Sequence, residues 1–125
     1  MSQKGFKDLR IYELAESIAD LVWKIVMPWD RFAKDTIGKQ LVRAADSIGA
    51  NIVAGVGRYG LADTRRFILI ARGSHYETQH WLRRAYRRKL LGADHVQLLK
   101  TMMDELSPKF GAYLRSLTQK LPPKS

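Results

Sequence analysis

Three patterns in this sequence have spacings that elsewhere carry chemistry. Gly55-Val-Gly57-Arg-Tyr-Gly60 has the G-x-G-x-x-G spacing of a dinucleotide-binding turn. That turn needs a strand before it and a helix opening inside it, so that backbone N–H groups meet a pyrophosphate. Here the preceding residues have helical periodicity and no βαβ unit surrounds them, so the glycines read as a helix end and a turn. Glu77-x-x-His80 has the i, i+3 spacing of a di-iron ligand pair. Such a site needs a second pair and two more inward carboxylates, and neither is present. His75, His80 and His95 are scattered along the chain and read as surface residues. Ser74 and His75 are adjacent, and neighbours on a helix point about 100° apart, so they do not form a nucleophile and its base. With no cysteine, thiolate ligands and disulfides are excluded. The expectation is a protein without catalytic residues, metal or cofactor.

Charge is the stronger signal. Lys and Arg number 22 against 12 acidic residues, a net charge of +10. On a helical wheel marked by Phe67, Ser74, Thr78 and Ala85 as the core, Arg65, Arg72, Arg83 and Arg87 fall within roughly 60° of one another on the opposite side. Arg66, Arg84 and Arg88 occupy an adjacent flank, with Lys89 beside them. Arg83/Arg87 and Arg84/Arg88 are like-charged i, i+4 pairs, each costing a few tenths of a kcal/mol. Only Asp63 and Glu77 supply acid on this stretch. Unrelieved repulsion of this kind suits a polyanion contact. A solvated face and a docking face for an acidic protein are the two alternatives. Tyr76 and Tyr86 could stack on bases, although aromatic side chains at helical spacing more often pack.

A second arc, Gln40, Arg43, Ser47, Asn51, Ala54 and Arg58, is small or polar and lies away from the line Leu41, Ile48 and Ile52. An open solvent face more often carries Glu and Lys, so this arc reads as a contact with another protein surface. Glu77 lies on a comparable flank and could pair with Arg43 within or between subunits.

The elements that must carry these residues are helical. Apolar residues recur at three- and four-residue steps over residues 9–27, 34–56, 63–91 and 94–121. The first line is Ile11, Leu14, Ala15, Ile18, Val22, Ile25 and Val26, with Asp8 as N-cap and Pro28 as stop. The second is Leu41, Ala44, Ala45, Ile48, Ile52 and Gly55. The third is Phe67, Ile70, Ala71, Ser74, Thr78, Trp81, Leu82 and Ala85, capped by Asp63 or Thr64 and ended by a left-handed Gly92. The fourth is Val96, Leu99, Met102, Met103, Leu106, Phe110, Tyr113, Leu114 and Leu117, with Pro108 as a point of kinking. Four such helices with short links predict an all-α, antiparallel up-down-up-down four-helix bundle. A length of 125 residues, 46% hydrophobic and 27% charged, predicts one folded domain over residues 1–125. The longest apolar run, Phe67 to Ala71, is too short to span a bilayer. With no signal-peptide pattern near Met1, the sequence reads as soluble and cytoplasmic, without a membrane partner.

Two stretches carry a resemblance. Gln40-Leu-Val-Arg43-Ala-Ala-Asp-Ser47-Ile-Gly-Ala-Asn51-Ile-Val-Ala-Gly55 resembles the pattern Gln-Leu-x-Arg-Ala-x-x-Ser-Ile-x-x-Asn-Ile-x-Glu-Gly. After Arg58, Arg66-Phe-Ile-Leu-Ile-Ala-Arg-Gly73-Ser74-His-Tyr-Glu77 resembles Arg-Phe-Leu-x-x-Ala-x-Gly-Ser-x-x-Glu. Both belong to the four-helix-bundle proteins encoded in intervening sequences of bacterial 23S ribosomal RNA genes. That family is similar in fold to the accessory variability determinant of diversity-generating retroelements. The resemblance implies a non-enzymatic homo-oligomer, a pentamer, with nucleic acid as partner and a reverse transcriptase as a further one. It marks Gln40, Arg43, Ser47, Asn51, Gly55, Gly73, Ser74 and Glu77 as signature and interface positions. The sequence departs from the pattern at Ala54, where the family has Glu, at Tyr12, where it usually has Trp, and at Trp29–Ala33, where its loop differs. The run Arg83 to Lys89 is more basic than the family pattern. The reading from residues and resemblance together is an oligomeric RNA- or DNA-binding protein of weak sequence specificity, with a protein-docking scaffold as the alternative.

Overall fold

The computed structural model describes residues 5–123. A 3₁₀ turn, Phe6–Asp8, leads into helix α1, Arg10–Val26. Asp30 then opens the second helix by accepting the Ala33 N–H at 2.9 Å. A single α turn, Arg31–Ala33, and a π-helical segment, Lys34–Gly38, run into α2, Lys39–Val56. Helix α3 is Leu61–Arg87 and α4 is Ala93–Lys120. Among the described residues there is no strand. No described helix is long and apolar enough to cross a membrane.

The helix ends depart from expectation for local reasons. Leu9, in extended backbone, stands at the N-cap of α1 without a side-chain bond, while the side chain of Asp8 lies outside the described residues. Helix α3 begins at Leu61 after an extended Gly60, so Asp63 and Thr64 lie inside its first turn and do not cap it. It ends at Arg87, before the expected residue 91, because the chain turns left-handed at Lys89 (φ 62°). The Leu90 N–H donates to Ala85 O at 2.9 Å and the Lys89 N–H to Tyr86 O at 3.0 Å, the paired bonds of a Schellman ending. Gly92, expected to be the left-handed residue, is extended (φ −83°, ψ 159°) and precedes α4. Helix α4 continues through Pro108.

One core is shared by all four helices. The buried lines of α1 and α2 are those anticipated from periodicity. Phe110 and Leu106 from α4, Ile18 from α1, Leu41, Ile48 and Ile52 from α2 and Ile68 from α3 are fully buried at its centre. Helices adjacent in sequence pack on one another, α2 against α3 most extensively, and α1 meets α4. Gly55 explains the closeness of α2 and α3: a Cβ there would lie 3.0 Å from Phe67 Cβ and 3.2 Å from Thr64 O. Gly38 plays the same part below α1, where a Cβ would stand 2.8 Å from Val26 Cγ1. Across α1 and α4, the Arg10 guanidinium donates two 2.7 Å bonds to Glu105.

The third helix corrects the sequence reading. Its buried line is Thr64, Ile68, Ala71, Ser74, His75, Thr78, Leu82 and Ala85. Phe67 and Trp81 are only half-buried, and Ile70 is 42% exposed. His75, read as a surface residue, has no exposed surface. The core face is therefore turned by roughly 50° from the expected one, toward positions 68, 75 and 82.

Candidate nucleic-acid interface

That rotation decides where the arginines sit. Arg65 and Arg72 are not opposite the core but on the flank of α3 that faces α4, and both are partly buried. The Arg65 Nε–H donates to Thr118 Oγ1 on α4 at 2.7 Å, and the Thr118 hydroxyl donates in turn to Leu114 O at 2.9 Å. The Arg72 guanidinium lies 5.9 Å from the ring centre of Tyr76, which is itself 54% exposed. Further along the same groove, Arg83 and Tyr86 line a second cleft of about 450 Å³ with Lys100 and Asp104 of α4. There Lys100 is held by Asp104 at 2.7 Å. Arg87, Arg88 and Lys89 are exposed at the C-terminal end of α3, where cations suit the helix dipole. Arg88 also borders a cavity of about 520 Å³ beside Phe32 and Thr36.

Arg66 and Arg84 belong to the neighbouring flank. Arg66 pairs with Asp63 at 2.9 Å, and its guanidinium stacks on Phe67 at 4.5 Å. Arg58 from the end of α2 reaches the same ring at 4.3 Å and the same carboxylate at 3.7 Å. Two guanidinia thus share one ring and one acid, a structural cluster that leaves Arg66 less free than its stripe partners. Arg84 is half-buried.

Charge is segregated over the molecule. Thirteen of the 22 basic residues follow Gly60, with only five of the 12 acidic ones. By contrast, the groove between α1 and α2, about 470 Å³, carries Glu16, Asp20 and Asp46. Partial burial, then the charge of Asp20, raises the pKa of Asp46 from its ordinary value.

The signature residues of α2 are satisfied largely within their own helix. Ser47 donates to Arg43 O at 2.7 Å, Asn51 to Ser47 O at 2.8 Å and Arg58 to Ala54 O at 3.2 Å. Gln40 and Arg43 are exposed. Ser74 is buried and accepts, through its carbonyl, the Thr78 hydroxyl. Glu77 accepts a long bond from Trp81 Nε1 at 3.4 Å; among the described residues it makes no ion pair with Arg43 within the chain. Gly73 is exposed, and a Cβ there would meet nothing within 4 Å. Residues 7–112 match the family model described as 23S rRNA-intervening sequence protein. The chain belongs to this family. No curated protein matches it.

The family match ends within α4, at Ala112, and so leaves Arg115 and Thr118 beyond it. These two α4 residues were missed by a reading that looked for the basic face on α3 alone. Their signal was available: Gly111, Arg115 and Thr118 follow one another at helical steps. The other residue missed is His75. Its Nε2 lies 2.9 Å from Ser107 Oγ and 3.2 Å from Gln79 Nε2, while its buried Nδ1 has no partner. Burial pushes its pKa down to about 4. Among the described residues no group of three or more His, Asp or Glu could hold a metal ion.

Proposed function

We propose that this member of the family is a non-catalytic nucleic-acid-binding protein that contacts the phosphate backbone through the arginine face of α3. The observation that carries this reading is the concentration of guanidinium groups without acidic partners along the side of α3 that borders α4. Ion pairs would neutralise such a face if its role were only solvation. Arg65, Arg72, Arg83 and Arg87 form its line, Arg84, Arg88 and Lys89 extend it, and Arg66 contributes through its exposed edge. No side-chain set reads base edges, so binding to RNA or DNA is weakly sequence-specific and salt-dependent. The four helices form an antiparallel up-down-up-down bundle, as their short links favour. As the family resemblance implies, the bundle assembles in the bacterial cytoplasm as a homopentamer. Gln40, Arg43, Gly73 and Glu77 are exposed signature positions suited to that self-contact.

The test is a titration of fluorescent structured RNA, duplex DNA and single-stranded DNA across a salt series. Sub-micromolar binding is expected, with log affinity falling steeply against log salt, on the order of 0.7 to 0.9 per phosphate contacted. Arg83→Ala with Arg87→Ala should weaken binding while leaving the helical signal intact. An unchanged affinity in that double variant moves the contact elsewhere.

A second reading is favoured by the exposed aromatic and apolar side chains Trp23, Met27 and Phe32, of which Phe32 is 79% exposed. They would serve a scaffold that docks an acidic protein or a reverse transcriptase. Stoichiometric capture of one such protein, surviving nuclease treatment, would support it.

A further inference from the structure

We propose that the cleft between α3 and α4 lined by Arg65, Arg72 and Arg115 is a binding site for a backbone phosphodiester of nucleic acid. This rests on the nucleic-acid reading above and adds to it a specific pocket and a residue outside the expected face. The cleft measures about 360 Å³, and among the described residues lining it none is acidic. None of the three guanidinia forms an ion pair with a described residue. Three like charges brought together from two helices repel one another, and the fold relieves none of that repulsion. A bound anion would.

The site is also built. Arg65 is not a free surface arm: the 2.7 Å bond from its Nε to Thr118 Oγ1 fixes the side chain and leaves its terminal NH₂ groups for a ligand. Thr118 is fixed in turn by its own bond to Leu114 O. Arg115 is accommodated by Gly111, one turn earlier on α4. A Cβ at 111 would meet one neighbour within 4 Å, Arg115 Nη1 at 3.3 Å. A glycine inside a helix costs about 1 kcal/mol relative to alanine, so its effect here is to let the Arg115 side chain lie close along the helix. Guanidinium groups that are partly desolvated and preorganised recognise phosphate oxygens with paired, charge-assisted hydrogen bonds. Leu69 and Leu114 add apolar side chains to the lining, against which Arg65 and Arg72 are partly buried while Arg115 stays exposed to an incoming ligand.

The experiment compares wild type, Arg115→Ala and the Arg83→Ala/Arg87→Ala double variant, each titrated with a fluorescent single-stranded RNA over a salt series. Inorganic phosphate is titrated in parallel and followed at the arginine Nε–H resonances. Arg115→Ala should lose about tenfold in RNA affinity and flatten the salt slope by about one contact. Gly111→Leu, which crowds Arg115 while keeping its charge, should produce a loss in the same direction. If the double variant binds weakly and Arg115→Ala binds like wild type, the cleft assignment is overturned while the reading of the α3 face stands. If wild type binds no RNA, that reading fails. Phosphate shifts at Arg65 and Arg115 without RNA binding would then make the cleft a small-anion site and overturn the phosphodiester assignment.

Discussion

Acid should destabilise this protein through one side chain, His75, and the effect can be worked out in advance. Its imidazole is fully buried among Phe110, Ser107 and Gln79, with Nδ1 unpartnered. In the unfolded chain a histidine titrates near 6.5; in the fold, burial lowers this one to about 4. Because the folded-state value is depressed, the unfolded state binds more protons between these limits. Stability is therefore full above about pH 6.5 and falls as the pH drops toward 4. The whole difference corresponds to roughly 3 kcal/mol, of which about 2 kcal/mol is lost by pH 5. Urea unfolding at pH 7.5, 6 and 5 measures it. His75→Gln is the control: it is less stable at pH 7.5 because the ring's packing is lost, but it should lack the histidine's share of the pH slope. Every other titratable group is common to the two proteins, so the difference between the two slopes isolates His75. Parallel curves would refute the reasoning, as would an imidazole resonance for His75 that titrates near 6.5.

Backbone geometry sets the outcome of three further substitutions. Gly55→Val should destabilise by roughly 1–3 kcal/mol, since its Cβ meets Phe67 and a backbone carbonyl, whereas Gly73→Ala, with open space around it, should stabilise by about 1 kcal/mol. Thermal unfolding of dilute protein checks both, and a loss at Gly73 would point to a neighbouring subunit packed against that position. Lys89→Gly should raise stability by up to about 1 kcal/mol, because lysine holds the left-handed φ of 62° that glycine adopts freely. An unchanged or lowered midpoint in denaturant would argue that the Lys89 side chain compensates.

Much of the fold was legible because α1 and α2 place strong aliphatic side chains at every buried step. In α3 the buried line alternates by four and three residues through Thr64, Ile68, Ala71, His75, Thr78, Leu82 and Ala85. Three of those seven are polar and two are alanine, while Phe67, Ile70 and Trp81 lie off the line. Hydrophobicity alone thus sets the core face off by roughly 50°, with Ala71, Ser74, Thr78, Leu82 and Ala85 correctly placed. The basic stripe was visible as a set of residues but not as half of a cleft. Its other half is a single arginine on α4, and only the packing of the two helices brings Arg115 to Arg65 and Arg72. Glycine at 111 takes its meaning from a side chain four residues away and not from a turn, so it is informative only when read together with Arg115.

The order in which the helices touch has a kinetic consequence. Three of the four helix contacts, α1 with α2, α2 with α3 and α3 with α4, join neighbours in sequence, so little loop entropy opposes them. Chains dominated by such local contacts fold in microseconds to milliseconds. The α2–α3 pair, which packs most extensively and meets closely at Gly55, is the expected nucleus. The contact between α1 and α4 closes the longest loop, and its bidentate Arg10–Glu105 pair spans 95 residues of sequence. The Arg65–Arg72–Arg115 cleft belongs to the local α3–α4 contact, so its formation would not have to await that long-loop closure.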